Sequence, residues 1–373
     1  MRSKRGVSRG NPPQEGNARR NPGGSDMRMR EKTRLEKIQI AVALLLCLAV
    51  AGAAVYRFCV PQRLLVQKTG YAMGTVTGVQ CAARQEQQAG EAAEAALAEC
   101  SRLETVLSAA REDAELACVN AGETALSEEL AAFLRQSLDT AEKSGGAFNP
   151  AIGALSTLWG IGTENARLPG AEEIAAARAL CDYRNITLSG LHITLPEGTR
   201  LDLGAAGKGA ACDAMAEILR EAGMSGFLAY AGGSIAVSGK TPDGKEWPVR
   251  VRDPFGSAAE TMGTIYVSEG FVSTSGNYEK TLTAGGKTYH HILDGATGWP
   301  AETGLCSVTV VCGSGILSDE LSTACFVLGR EKGEELLRQY GAEGIFIESP
   351  GEVILTEGLK SSFTPTDGWA VVS

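Results

Sequence analysis

Nineteen consecutive residues, Ile38 to Tyr56 (IQIAVALLLCLAVAGAAVY), carry no charge and divide the chain into two parts. Such a run is about long enough to cross a ~30 Å hydrocarbon core as a helix. Residues 1–37 before it hold eleven Lys/Arg against four Asp/Glu, which favours a cytoplasmic N-terminus and places the chain beyond Arg57 outside. The expected organisation is a basic, disordered cytoplasmic segment over 1–37, a transmembrane anchor over 38–56, a linker over 57–66 and one folded domain over 67–373. The protein is then single-pass in the cell membrane with its folded domain extracytoplasmic. A cleaved signal peptide is the competing reading; the long basic preface and the lack of a small-x-small cleavage site favour the uncleaved anchor. Cys47 and Cys59 form no clear lipid-attachment box.

The formal charge of −9 hides an asymmetry, because the first 37 residues are +7 and the remainder is −16. An acidic body excludes nucleic acid as the main partner, since phosphate backbones call for positive surface. Ten cysteines in an exported chain would suggest disulfides. Here they are scattered, without a CxxC, and several fall in apolar runs such as Thr323-Ala324-Cys325-Phe326-Val327. They read as buried thiols acting as small hydrophobes.

After the linker, residues 66–80 alternate as a strand with a tight point at Gly74. Helical spacing covers 91–107, 128–144, 171–180, 210–222, 319–328 and 332–340. Short strands are expected at 186–188, 192–195, 227–230, 234–237, 249–252, 264–267, 307–311, 344–347 and 353–355. Strands mixed with helices, without regular β-α-β alternation, indicate an α+β domain.

Three segments could carry chemistry. Histidine is scarce, with three in the chain, and two stand together in Tyr289-His290-His291-Ile292-Leu293-Asp294-Gly295-Ala296-Thr297-Gly298. Imidazole is the side chain best suited to moving protons near neutral pH, although a histidine in a turn is also a common bystander. In Leu201-Asp202-Leu203-Gly204-Ala205-Ala206-Gly207-Lys208-Gly209 a glycine-rich loop runs into a helix, whose start is a natural seat for phosphate. A Walker A loop fails here, because Gly209 rather than Ser/Thr follows Lys208; close packing of the helix is the bland alternative. In Ser318-Asp319-Glu320-Leu321-Ser322-Thr323, Asp319 and Thr323 share one helix face, and a carboxylate with a hydroxyl suits a hard cation such as Mg²⁺. A Ser cap with an acidic first turn explains the same letters. Two further stretches are a hydroxyl-rich turn, Ser273 to Tyr278, and an aromatic-flanked loop, Ala147 to Gly160, which could cover a planar ring.

Taken in order, Ala72-Met73-Gly74-Thr75, Ala147 to Gly160, Asp202 to Asp213, Gly232-Gly233-Ser234-Ile235, Ser273 to Tyr278, His291 to Gly298 and Asp319 to Gly329 resemble the ApbE family of FAD:protein FMN transferases. The resemblance implies a T-fold-related, ApbE-like α+β catalytic domain with FAD in a cleft. It implies Mg²⁺ on the pyrophosphate and transfer of FMN from FAD to a Ser or Thr hydroxyl of an acceptor flavoprotein, releasing AMP. By position, Met73, Ala147, Phe148, Asn149, Asp202, Lys208 and Ile292 match FAD contacts. Ala205 through its carbonyl, Asp319, Ser322 and Thr323 match the metal site. His291 matches the base that deprotonates the acceptor, and Lys208 is placed to stabilise phosphate charge. The chain departs from the family at Gly295, usually Pro, at Gly207, usually Ala, and at Ala110, often aromatic. The alternatives are hydrolysis of FAD to FMN and AMP, a non-catalytic FAD-binding electron-transfer protein, and a cofactor-free binding module.

Overall fold

Helix α1 runs from Gly23 to Cys59 in the computed structural model, which describes residues 23–59 and 63–372. It begins well inside the segment expected to be disordered; residues 1–22 lie outside the described residues. Met, Arg, Glu, Lys and Leu between 27 and 37 are good helix formers, and a nucleated helix propagates through them cheaply. Among the described residues, no helix is long and apolar enough to cross a membrane. The expected anchor over 38–56 is thus not supported. The side chains of 53–56 lie outside the described residues, as do residues 60–62 of the expected linker.

A second unit starts at Arg63 and takes in the rest of the chain. Its first strands, β1 (Leu64–Ala72) and β2 (Thr75–Ala83), form an antiparallel hairpin in which Ala72 pairs with Thr75. Met73 and Gly74 are left as a two-residue turn with φ of 54° and 68°, the left-handed pair that matches strand twist. Next come α2 (Glu86–Leu107), α3 (Glu115–Asn120), α4 (Glu128–Lys143), α5 (Gly153–Trp159), α6 (Ala171–Arg178), the small hairpin β3 (Thr187–Ser189) and β4 (His192–Thr194), and α7 (Gly207–Glu221). The central strands are β5 (Gly226–Ala231), β6 (Ser234–Gly239), β7 (Trp247–Arg252), β8 (Thr261–Val267), β9 (Glu269–Gly276), β10 (Thr281–Ala284), β11 (Lys287–His290) and β12 (Ser307–Cys312). The chain closes with α8 (Gly315–Leu328), α9 (Arg330–Tyr340), β13 (Glu343–Ile347), β14 (Glu352–Leu355), β15 (Phe363–Pro365) and β16 (Ala370–Val372).

One sheet has the order β1-β2-β5-β6-β9-β12-β13-β14-β16. Its pairs are antiparallel except β14 with β16. Because side chains alternate along a strand, each face has its own core. Phe227, Ala229, Phe271 and Phe346 pack with the inner faces of α2, α4, α7 and α8. Leu228, Val272, Ile345 and Ile347 pack against a second sheet, β15-β8-β7, through Trp247, Val249, Ile265 and Phe363. The result is a helix–sheet–sheet sandwich, the α+β domain that the mixed pattern predicts. Helix α2 lies close to the sheet because its buried stripe begins with Ala89, Ala92, Ala93 and Ala96. Every cysteine whose side chain is described is a free thiol, and Cys81, Cys100, Cys181, Cys212 and Cys325 are buried as expected.

Three local readings change. Helix α8 begins at Gly315 with Ser314 as its cap, through a bond from the Leu317 amide. Ser318 is therefore not a cap, and Asp319 stands inside the helix. The hairpin β10–β11 is absent from the periodicity because its strands are four residues long and mostly polar. Strand β9 extends through the hydroxyl-rich stretch to Gly276, which sequence alone reads as a turn.

Candidate active site

Helices α7 and α8 touch at two glycines. A Cβ on Gly209 would run into the Gly315 carbonyl, and one on Gly315 into the Gly209 carbonyl. That close crossing lets each helix start receive a carboxylate from the other. Asp213 of α7 accepts the amides of Gly315 and Ile316, both at 2.8 Å, and the Ser314 hydroxyl at 3.2 Å. Burial nevertheless pushes its pKa up. Asp319 of α8, 3% exposed, accepts the amide of Gly209 at 3.0 Å through Oδ2, and the Lys208 ammonium stands 3.8 Å from the same oxygen. A buried carboxylate is costly unless it is paired in this way, and the first turn of α7 offers the favourable end of a helix dipole.

The other faces of α8 meet β9. Ser273 and Ser275 alternate onto one side of the strand, and Ser318 and Ser322 are one turn apart on the helix. Ser273 pairs with Ser318 at 2.8 Å, and Ser275 pairs with Ser322 at 2.8 Å and with Thr323 at 3.1 Å. Ser322 also donates to the Asp319 carbonyl at 2.9 Å. Asp319, Ser322 and Thr323 are thus brought together beside the first turn of α7, which the turn containing Ala205 precedes in the chain. Among the described residues no group of three or more His, Cys, Asp or Glu could hold a metal. One carboxylate among hydroxyls and carbonyls is instead a hard-oxygen set, suited to a Mg²⁺ that completes its shell with water and substrate phosphate.

Lys208 also meets the first hairpin. A Cβ on Gly232 would lie 2.9 Å from Thr75 Oγ1 and 3.4 Å from Lys208 Cδ, so the Met73-Gly74-Thr75 turn, the Gly232-Gly233 turn and the start of α7 converge. Asp202 holds its own loop: Oδ1 accepts the Gly204 amide at 2.8 Å, and its amide donates to Pro150 at 2.9 Å. The latter bond joins the glycine loop to the Ala147–Asn149 loop. Asn149 donates to the Cys181 carbonyl at 2.7 Å and accepts the Ala151 amide at 2.9 Å, and a Cβ on Gly295 would lie 3.1 Å from Asn149 Nδ2. The turn at Gly295 is tight rather than loose. Asp294 accepts the Ala296 amide, while Trp159 and Arg178 donate to the Gly298 and Ala296 carbonyls.

Two expected FAD contacts change character. Phe148 and Ile292 are 2% and 6% exposed and belong to the main core. Trp159 is fully buried against Tyr289 and Trp299. These side chains fill apolar space, so an aromatic cover over a planar ring is not formed by them.

The two histidines separate cleanly. His290 Nε2 faces the Ala301 carbonyl at 3.0 Å and Nδ1 accepts the Ile292 amide at 3.3 Å. Both nitrogens are occupied, and the ring packs edge-on against Phe326. His291 Nδ1 is buried and has no partner among the described residues, the mark of a group whose environment is completed by something else. Burial first, then the positive charges of Lys280 and Lys208, push its pKa down to about 4. It is a neutral base at pH 7.

Sequence reasoning passed over the roles of Asp213, Ser273, Ser275 and Lys280. It also missed Asn120, which clamps Leu201 by donating to its carbonyl at 2.9 Å and accepting its amide at 2.6 Å. The alternation Ser273-x-Ser275 on a strand was the available signal for the hydroxyl pairs; nothing local marks Asn120. A cleft of about 420 Å³ lined by Asp213, Arg220, Glu269, Phe271 and Cys312 contains none of the residues expected to touch flavin or metal.

An α+β domain that gathers a neutral histidine, a lysine at a helix start and a buried carboxylate has the parts of a phosphate-handling transferase. A sequence model of the ApbE family matches residues 73–346, and the chain belongs to that family. It is 38% identical over 277 residues to a FAD:protein FMN transferase of Treponema pallidum (strain Nichols), covering 69% of this chain and 76% of that protein. It is 34% identical over 231 residues to one of Klebsiella pneumoniae (strain 342), covering 61% and 71%. Among solved structures, the ApbE protein of Thermotoga maritima MSB8 superposes with a TM-score of 0.74 at 28% identity, covering 80% of this chain and 99% of that one. The flavin transferase ApbE of Vibrio cholerae superposes with a TM-score of 0.69 at 25% identity and the same coverage.

Proposed function

We propose that this chain is a FAD:protein FMN transferase, which moves FMN from FAD to a Ser or Thr hydroxyl of an acceptor flavoprotein in a Mg²⁺-dependent reaction that releases AMP. The observation that carries the reading is a neutral His291 whose buried Nδ1 has no partner among the described residues, within the field of a Lys208 that stands 3.8 Å from Asp319. Base, phosphate-stabilising cation and metal-compatible carboxylate occupy one region. The named relatives support the same activity.

In this mechanism the FAD pyrophosphate lies at the start of α7, where the positive end of the helix dipole and Lys208 oppose its charge. A ring nitrogen of His291 takes the acceptor hydroxyl proton. The resulting oxygen attacks the flavin-side phosphorus. The anhydride bond breaks, and AMP leaves with the bridging oxygen. A Mg²⁺ held by Asp319 and Thr323, with Ser322 and the Ala205 carbonyl as further oxygens, would supply neutralisation of pyrophosphate charge when bound. Met73, the Ala147–Asn149 loop, Asp202 and Ile292 orient the dinucleotide.

The test is incubation of the full chain with FAD, Mg²⁺ and an acceptor flavoprotein, followed by intact mass measurement. A mass increase equal to one FMN with loss of water, and AMP in the supernatant, is expected. No adduct while FAD still binds refutes transfer, and AMP formed at full rate without any acceptor indicates hydrolysis instead.

We further propose a single-pass membrane location with the catalytic domain outside. The uncharged run 38–56 and the basic residues before it support this. Release of the full chain from membranes by high salt would refute it.

A further inference from the structure

Glu320 is fully buried, adjacent in sequence to Asp319, and has no part in the mechanism above. Successive helix residues point about 100° apart, so while Asp319 faces α7, Glu320 faces α4. There its Oε1 accepts from Ser137 and its Oε2 from Thr140, each at 2.6 Å. Ser137 and Thr140 are themselves fully buried and lie three apart on one face of α4. Apolar side chains would join the two helices without the desolvation that a carboxyl costs. What the acid adds is direction. Two short bonds set the rotation of α8 and its register along α4, which apolar surfaces leave free to slide.

That register reaches both halves of the site. On α8 it determines where Asp319 meets Gly209 and Lys208, and where Ser322 and Thr323 meet Ser275. On α4, Thr140 stands one turn before the cap that launches the Ala147–Asn149 loop. The Gly146 amide returns to the Ala141 carbonyl at 2.8 Å, and the Phe148 amide bonds to Ser144 Oγ at 3.2 Å. The helix that carries Asp319 and the loop on the flavin side are thus tied through one buried side chain.

We propose that Glu320 is a positioning residue of FMN transfer, holding α8 in register with α4 so that the Asp319 side and the Ala147–Asn149 loop bind Mg²⁺ and FAD as one unit. The proposal rests on the transfer reading. The experiment is a flavin-fluorescence titration of the full chain with FAD, with and without saturating Mg²⁺. The wild-type chain must first show Mg²⁺-dependent tightening; if it does not while the FMN adduct still forms, the proposal fails and the transfer reading stands, and if no adduct forms either, the transfer reading itself fails. Given that tightening, Glu320→Leu is expected to raise the FAD Kd about tenfold in Mg²⁺ while leaving the Mg²⁺-free Kd within about twofold. Glu320→Gln, whose amide can accept from one hydroxyl and donate to the other, restores it. Because Glu320→Leu can fail to fold, the α4 double variant Ser137→Ala/Thr140→Val, verified by circular dichroism, carries the same expectation. Wild-type tightening in the folded variants that lack the two bonds overturns the proposal. So does a loss in Glu320→Gln as large as in those variants, because it would assign the effect to charge rather than register.

Discussion

The Gly209 amide donates to Asp319 at 3.0 Å, across a helix crossing so close that neither Gly209 nor Gly315 has room for a Cβ. This one bond connects the start of α7, proposed to face phosphate, to the carboxylate proposed to hold Mg²⁺. Asp319→Asn keeps an oxygen for Gly209 and removes the charge. It is expected to lower FMN transfer about 100-fold or more, while the urea midpoint changes little. Equal losses of stability and activity would mean that Asp319 acts only in packing.

His291 gives a pH signature. In the ligand-free chain its NMR titration is expected near pH 4, below the ordinary 6.5. The folded state then binds fewer protons than the unfolded chain between these values. The contribution of His291 to stability is therefore full above pH 6.5 and is lost as pH falls through about 4. Lys280→Ala and Lys208→Ala should each move the titration upward by removing a nearby positive charge. His291→Ala is expected to lower transfer about 100-fold or more with FAD binding retained.

Two glycines of the first turn of α7 should respond in opposite directions. Gly209→Ala places a methyl against the Gly315 carbonyl and is expected to destabilise by about 3 kcal/mol. A Cβ on Gly207 meets nothing within 4 Å, and Gly207 begins α7. Gly207→Ala, the residue usual in the family, is expected to stabilise by about 0.5–1 kcal/mol. Chemical denaturation of both variants checks the pair.

Met73 is held at φ 54° in the first hairpin turn, a conformation that costs a non-glycine residue about 1–2 kcal/mol. Asn tolerates it, and Asn-Gly is the preferred pair for this turn. Met73→Asn is expected to raise the melting temperature and weaken FAD binding together. A variant that gains stability and keeps full affinity would remove Met73 from the binding site.

The long helices and most strands of the sandwich were legible because their periodicity survives in single segments, as in α2 and α4. What escaped was short or polar: α3, α5 and the β10–β11 hairpin carry too few apolar repeats to register. At the site, Asp319, Lys208 and His291 stood out by residue type and order, and the family match rests on the same letters. The partners that define them did not stand out. Asp213, Ser275 and Asn120 are ordinary residues whose importance lies in contacts 47 to 103 positions away in the chain. Phe148 and Trp159 misled in the other direction, since an aromatic residue in a loop reads as a ligand platform until its burial is known.

The amino-acid order alone determined the family and the α+β class, because motif order and apolar periodicity are local properties. Only the folded chain decided which of two adjacent histidines keeps an unpartnered ring nitrogen, which of two adjacent acids faces Lys208, and which aromatic residues are core. Those choices depend on helix rotation and on burial. Both are settled by packing between segments far apart in sequence, where a turn of 100° separates Asp319 at the site from Glu320 in the interior.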